Sequence, residues 1–242
     1  MIMNNPLEKF CLKNVVSAFS GRGDGNMSLS FGDTAGALEN RAKFLSSLGV
    51  NYRDLVCAKQ VHGRDVLLAG EADRGKGALD YASSVESRDG FITAEKGLPL
   101  AVLTADCLPV FICDPLRGAV GILHAGWRST EQNICARGIE LMQESFGSKA
   151  GDIVAGFGPC IRACCFEVEK GFKSNFSFGL SARGGKVFMD IALVNRRQLM
   201  ECGVREENIF DSSVCTYSDE GYFSFRKEAQ DAGRFISVVM LK

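Results

Sequence analysis

Imidazole is the scarcest reactive group in this 242-residue chain, which carries two histidines, with one tryptophan and five prolines beside them. A site that needs many imidazoles at once is excluded by that count. An excess of charge is missing too: 28 Lys and Arg stand against 29 Asp and Glu, a formal net charge of −1. Such a balance offers no broad basic surface to nucleic acid or to an anionic membrane. No apolar run approaches the roughly 18 residues that span a bilayer. The opening Met1-Ile2-Met3-Asn4-Asn5-Pro6 lacks the basic-then-apolar pattern of a secretory leader. A cytoplasmic protein with neither nucleic acid nor membrane as partner is expected.

The ten cysteines include no CxxC pair, so a closed structural zinc knuckle is not expected. Disulfides belong mainly to small exported domains, and this chain shows no mark of export. Cys57, Cys113, Cys135 and Cys202 sit in apolar segments and read as reduced core residues. With 46% hydrophobic and 24% charged residues, the composition is that of a soluble globular protein with enough chain for a sizeable core.

No repeat, low-complexity stretch or linker divides the chain, and one domain over residues 1–242 is expected. Residues 15–19 read as a first strand before the glycine-rich turn 21–25. Asp33 or Thr34 caps a helix to about Leu48, stopped by Gly49. Strands are predicted over 55–61, 66–69, 91–93, 100–103, 110–113, 119–123, 153–157 and 235–241. A helix is predicted over 130–146, with Ser129 and Gln132 in capping-box spacing and Gly147 as its stop. Another is predicted over 191–202 before Gly203. The turn 158–168 opens a polar stretch read as helical. Strands and helices interleave without a regular βαβ rhythm, which predicts a single mixed α+β domain.

Both histidines lie in glycine-punctuated turns after apolar segments: His62 in KQVHG (59–63) and His124 in HAGWR (124–128). Cys107 lies between them in TADCLP (104–109). Two imidazoles and a thiolate, with a fourth tetrahedral position open, describe a catalytic zinc site, where a bound water is acidified toward neutral pH. Copper binds such ligands as well, and more tightly in the intrinsic series, so adventitious copper is compatible. The plainer alternative is that the histidines satisfy turn hydrogen bonds and Cys107 is core. Asp106 adjoins the cysteine and either orients a ligand or caps the turn before Pro109. Arg128 precedes the expected helix N-terminus at 129–130, where an anion is favoured. Trp127 either shields the site, stacks on a base or packs in the core.

These motifs resemble the YfiH/YlmD family, known also as laccase-domain or polyphenol oxidase proteins and including mammalian FAMIN. The matching segments are KQVHG (59–63), DGFIT (89–93), TADCLPV (104–110), HAGWR (124–128) and GPCIRACCFEV (158–168), with Cys215-Thr216 and Gly233-Arg234 further on. Arg22 aligns with the family arginine of an N-terminal loop that is shorter here, and Asn40-Arg41 with its NR pair. The resemblance implies an α+β arrangement of mixed sheets flanked by helices, the YfiH-like cysteine-hydrolase fold, and a metal site at His62, Cys107 and His124. It implies zinc-dependent phosphorolysis of purine nucleosides, including methylthioadenosine, and adenosine deamination, with nucleoside and phosphate as partners. Arg22, Arg41 and Arg128 are the candidate phosphate ligands, and Asp106 a candidate catalytic acid–base group. Two other readings stand beside this one. The first is a hydrolase or amidase, zinc-dependent or with Cys107 as nucleophile, of the kind that edits cell-wall precursors. The second is a metal-binding module without catalysis. Two histidines cannot furnish the copper centres of a multicopper oxidase.

Overall fold

Twelve strands and five α-helices build mixed sheets flanked by helices in the computed structural model, which describes Leu7 and residues 12–242. In chain order they are β1 (Val15–Phe19), α1 (Thr34–Ser47), β2 (Val66–Leu68), β3 (Gly90–Thr93), β4 (Leu100–Thr104), β5 (Leu108–Asp114) and β6 (Ala119–Ala125). Then come α2 (Trp127–Glu131), α3 (Ile134–Phe146), β7 (Val154–Phe157), β8 (Glu167–Val168), β9 (Leu180–Arg183), β10 (Lys186–Met189) and α4 (Ile191–Glu201). The chain closes with β11 (Ile209–Asp211), α5 (Phe225–Glu228) and β12 (Phe235–Leu241).

A six-stranded sheet in the order β11-β7-β5-β6-β3-β2 forms the centre. Its middle strands β5 and β6 are buried at every position, because both faces are covered. Ile112, Leu123, Ile134, Ile139 and Met142 join α3 to one face, and Phe91, Phe111, Val120 and Ile122 fill the other. A three-stranded antiparallel sheet, β1-β12-β4, carries Val102, Val239 and Leu241 into this second core. The central antiparallel pair has Leu108 opposite Ala125 and Pro109 opposite His124. That register sets the end of β6 beside the start of β5, where Cys107 lies.

Three sequence expectations differ from the structure. Residues 55–61 make only isolated bridges, Val56 to Leu100 and Ala58 to Val85, because Gln60 takes over the pairing. Its side-chain amide donates to the Leu103 carbonyl and accepts the Leu103 N–H, at 2.9 and 2.8 Å. The single helix expected over 130–146 is two. Asn133, in the left-handed region at φ 62°, breaks it and caps α3 through the Ala136 N–H. Ser129 is therefore inside α2 and caps nothing. After residue 158 the chain forms no α-helix until α4; instead β8, β10 and β9 make a small antiparallel sheet. Among the described residues no helix is long and apolar enough to cross a membrane.

Candidate active site

The N, N and S ligand atoms of His62, Cys107 and His124 lie within 4.8 Å of one another. His124 stands at the end of β6, Cys107 just before β5, and His62 on the turn that leads to β2. Residue 62 adopts φ 58° and Asp106 φ 84°, both unusual for side-chain-bearing residues and both found where a fold over-determines a functional turn. The imidazole rings meet edge to face with centroids 4.8 Å apart, and His62 Nε2 lies 3.9 Å from Cys107 Sγ.

Asp89 holds this arrangement together. Its buried carboxylate accepts the backbone N–H groups of Val61, His62 and Gly63 at 3.2, 2.9 and 2.7 Å. It also accepts His124 Nδ1–H at 2.8 Å, which turns Nε2 toward the cluster. One carboxylate thus fixes the His62 turn and the His124 tautomer together. Burial opposes its charge, but the His124 hydrogen bond and charge and the Gly63 and Val61 N–H groups hold its carboxyl below the usual carboxylate range. Asp89 sits in the DGFIT segment, yet an aspartate before a strand carries no signal of this role.

Burial pushes the Cys107 thiol up, but the charge and hydrogen bond of His124, with those of His62, outweigh it and bring the thiol down to about 6. Burial lowers His124, but Cys107 and Asp89 raise it to about 9. The pair therefore favours a thiolate beside an imidazolium, and a cation replacing that imidazolium proton would meet the same field. The donor set also fits a divalent ion. Three protein ligands of N, N and S type converge, one histidine is oriented by a carboxylate, and His62 and Cys107 keep solvent access on the cavity side. Space is reserved as well: a Cβ on Gly126 would lie 2.8 Å from His62 Cδ2 and 3.1 Å from Cys107 Sγ.

The cluster opens into a cavity of about 720 Å³. Phe31, Tyr81, Trp127, Phe166, Phe172 and Phe225 supply aromatic surface, and Arg128, Arg226 and Arg234 supply positive charge. Arg128 lies over the Trp127 ring at 4.2 Å, and Trp127 packs on Phe172 with centroids 4.9 Å apart. Arg234, half-buried, lies between Phe31 and Phe225 at 5.0 and 5.7 Å from their centroids.

Two of the three expected phosphate arginines are engaged elsewhere. Arg22 forks onto Glu228 at 3.1 and 2.6 Å and donates to the Glu220 and Tyr222 carbonyls. Arg41 is buried and caps the carbonyls of Met27, Gly77 and Ala78. Both tie loops together, and neither lines the cavity. Arg128 does line it, but the helix start expected at 129–130 lies earlier, because α2 begins at Trp127. Asp106 also lines the cavity, but its carboxylate is filled by the Thr216 hydroxyl at 2.6 Å, the Ser224 hydroxyl at 3.0 Å and the Arg226 N–H at 2.6 Å. That places it as a brace for the Cys107 turn rather than a free acid–base group.

An α+β scaffold of mixed sheets with an open His/Cys/His cluster at the strand ends defines the class. The family model described as multi-copper polyphenol oxidoreductase laccase matches residues 16–242. The chain belongs to that family. Purine nucleoside phosphorylase YlmD of Geobacillus stearothermophilus is 33% identical over 88% of this chain and 82% of its own. Purine nucleoside phosphorylase YfiH of Shigella flexneri is 34% identical over 89% and 86%. Adenosine deaminase RL5, from an unknown prokaryotic organism, is 31% identical over 87% and 84%. The crystal structure of YlmD from Geobacillus stearothermophilus superposes with a TM-score of 0.91 at 30% identity, covering 96% of this chain and 93% of that one. YfiH of Bacillus licheniformis gives the same TM-score at 29% identity, covering 94% and 93%. The YfiH-like fold expected from the motifs is the one observed.

Proposed function

We propose that this protein is a zinc-dependent purine nucleoside phosphorylase that also deaminates adenosine. The carrying observation is the His62/Cys107/His124 cluster opening onto a cavity that combines aromatic walls with arginine charge. Curated relatives that bear the names purine nucleoside phosphorylase and adenosine deaminase support it.

In phosphorolysis a phosphate oxygen attacks the ribose C1′, the C1′–N9 bond breaks, and the purine leaves with its electron pair and takes up a proton. The aromatic wall binds the purine by stacking, worth about 1–3 kcal/mol per base where it has been measured. Arg234 and Arg128 hold the phosphate, and Arg234 contributes more because its guanidinium is partly desolvated. His62, Cys107 and His124 would hold the ion. When bound, zinc supplies Lewis-acid stabilisation to an oxygen in its open position. Deamination needs an oxygen nucleophile at C6 of adenine, so the two reactions place the nucleoside in two poses. Adenosine, inosine and methylthioadenosine serve as the substrate set. Incubating the zinc-loaded protein with each, with and without phosphate, is expected to give ribose 1-phosphates or the methylthio analogue only when phosphate is present. Inosine is expected from adenosine in either case. Absence of phosphate-dependent products with all three substrates would sink the reading.

The thiolate–imidazolium pair of Cys107 and His124 favours one second reading, a cysteine hydrolase or amidase with Cys107 as nucleophile. A chelator separates the two, because it stops the zinc reaction and spares a Cys–His pair.

A further inference from the structure

Outside the histidine cluster, a second set of soft ligands converges. The Sγ atoms of Cys164, Cys165 and Cys215 all lie within 4.8 Å of one another. Sequence spacing conceals them, since two are adjacent and the third is about fifty residues on. The backbone brings them together. Residues 160 and 215 pair as a parallel bridge, with Cys160 N–H donating to the Val214 carbonyl and Thr216 N–H to the Cys160 carbonyl, at 3.3 and 3.1 Å. A turn then folds the chain back, as Cys165 and Phe166 N–H both donate to the Arg162 carbonyl at 2.9 and 2.8 Å. Arg183 pins the outer side by donating to the Cys164 carbonyl at 2.8 Å.

We propose that Cys164, Cys165 and Cys215 form a second metal site, an all-thiolate tripod for a thiophilic d10 cation such as Zn²⁺, with its fourth position open to solvent beside the exposed Cys164. Zn–S bonds of about 2.3 Å place the sulfurs of a tetrahedral site about 3.8 Å apart, so closure around an ion needs movements of about an ångström or less. On the Cys215 side the turn is closed by the Ser218 hydroxyl, which donates to the Cys215 carbonyl at 3.5 Å. Loading displaces the thiol protons to solvent. No oxidant or reductant enters.

The site would join two segments that support the Cys107 turn. Thr216, next to Cys215, donates to Asp106, and Ile161 N–H donates to the Asp106 carbonyl at 2.9 Å. An ion at the tripod would therefore staple the wall of the cavity without touching substrate.

The test uses the intact chain, reduced with a phosphine and handled without oxygen, in a Cys107→Ala background that removes the thiolate of the first site. Cd²⁺ is the spectroscopic probe and Zn²⁺ the second ion. Titration is expected to produce thiolate-to-cadmium charge-transfer absorption that saturates at a single equivalent. It should be lost when Cys164→Ser and Cys165→Ser are added. Both added changes lie at or near the surface, so circular dichroism should be unchanged. Zinc is expected to raise the melting temperature in the Cys107→Ala background and not after the added changes. Charge-transfer absorption and zinc response that persist unchanged in the triple variant would overturn the proposal. So would a Cys107→Ala protein that shows neither.

Discussion

At the scale of single residues, the site depends on a carboxylate and a missing methyl as much as on its candidate ligands. Asp89 accepts from three consecutive N–H groups and from His124, so Asp89→Asn would set an amide N–H against donors. Loss of such a ligand-orienting partner typically lowers metal affinity about 10- to 100-fold. A zinc competition titration is expected to show that drop, and equal affinity would show that the histidines are held by packing alone. Cys107→Ala is expected to abolish turnover with the fold retained, whereas Cys135→Ala keeps turnover. Cys135 is buried on the inner face of α3 and donates a hydrogen bond to Asn195, so its loss costs on the order of 1 kcal/mol. Turnover assays with melting curves check both, and a fully active Cys107→Ala would end both the zinc and the thiolate mechanisms. Gly126→Ala drives a methyl toward His62 and Cys107 and is expected to weaken metal binding more than stability, since its contacts are with the ends of those side chains.

At the scale of elements, the sequence was legible wherever one strand or helix obeyed its own local rules. β1, α1 with its Asp33 cap, α4 with Gly203 after it, and the closing β12 all lie where residue patterning predicts them. The misses have non-local causes. Residues 55–61 are apolar enough for a strand, but a glutamine side chain from that segment satisfies the β4 edge. The α2–α3 break depends on Asn133 accepting a left-handed conformation, which periodicity does not report. Arg22 was legible as a special residue, but its partner Glu228 lies in α5, about two hundred residues away. That ion pair gives a pH signature. The Arg22 hydrogen bond outweighs burial and depresses Glu228, so its contribution is present above the ordinary carboxylate range and is lost as pH falls through the lower folded value. The stability gap between the wild type and Arg22→Ala, measured by urea unfolding, is expected to shrink as pH falls from about 6 to about 3. A gap constant over that range would assign Arg22's role to its carbonyl contacts instead.

At the scale of the whole molecule, the fold sets two strand ends and the His62 turn around one opening, and the cavity wall comes from segments distant in sequence. This is why the candidate metal ligands were legible while the proposed anion site was legible only at Arg128. Histidine and cysteine announce their chemistry by type, whereas any of many arginines can bind phosphate, and only the tertiary structure shows which remain uncommitted. Arg22 and Arg41 are consumed by loop carbonyls and Glu228, while Arg128 and Arg234 face the cavity. Arg234 donates to the carbonyls of Ala232 and Gly233 but keeps the rest of its fork, half-buried between two phenylalanines. A charged hydrogen bond to phosphate in such a setting is worth about 1.5–3 kcal/mol, or about ten- to a hundredfold in affinity. Arg128 is solvent-exposed, so screening leaves it a smaller share. Arg234→Ala is therefore expected to raise the phosphate KM by about that factor, and Arg128→Ala by less. Deamination of adenosine, which takes water and no phosphate, should change far less in both. Arg234→Lys, which keeps the charge but loses the fork, should fall between the two and confirm that the folded cavity survives. If Arg234→Ala lowers phosphorolysis and deamination equally, the guanidinium acts by holding Phe31 and Phe225 in place, and the phosphate is held elsewhere in the cavity.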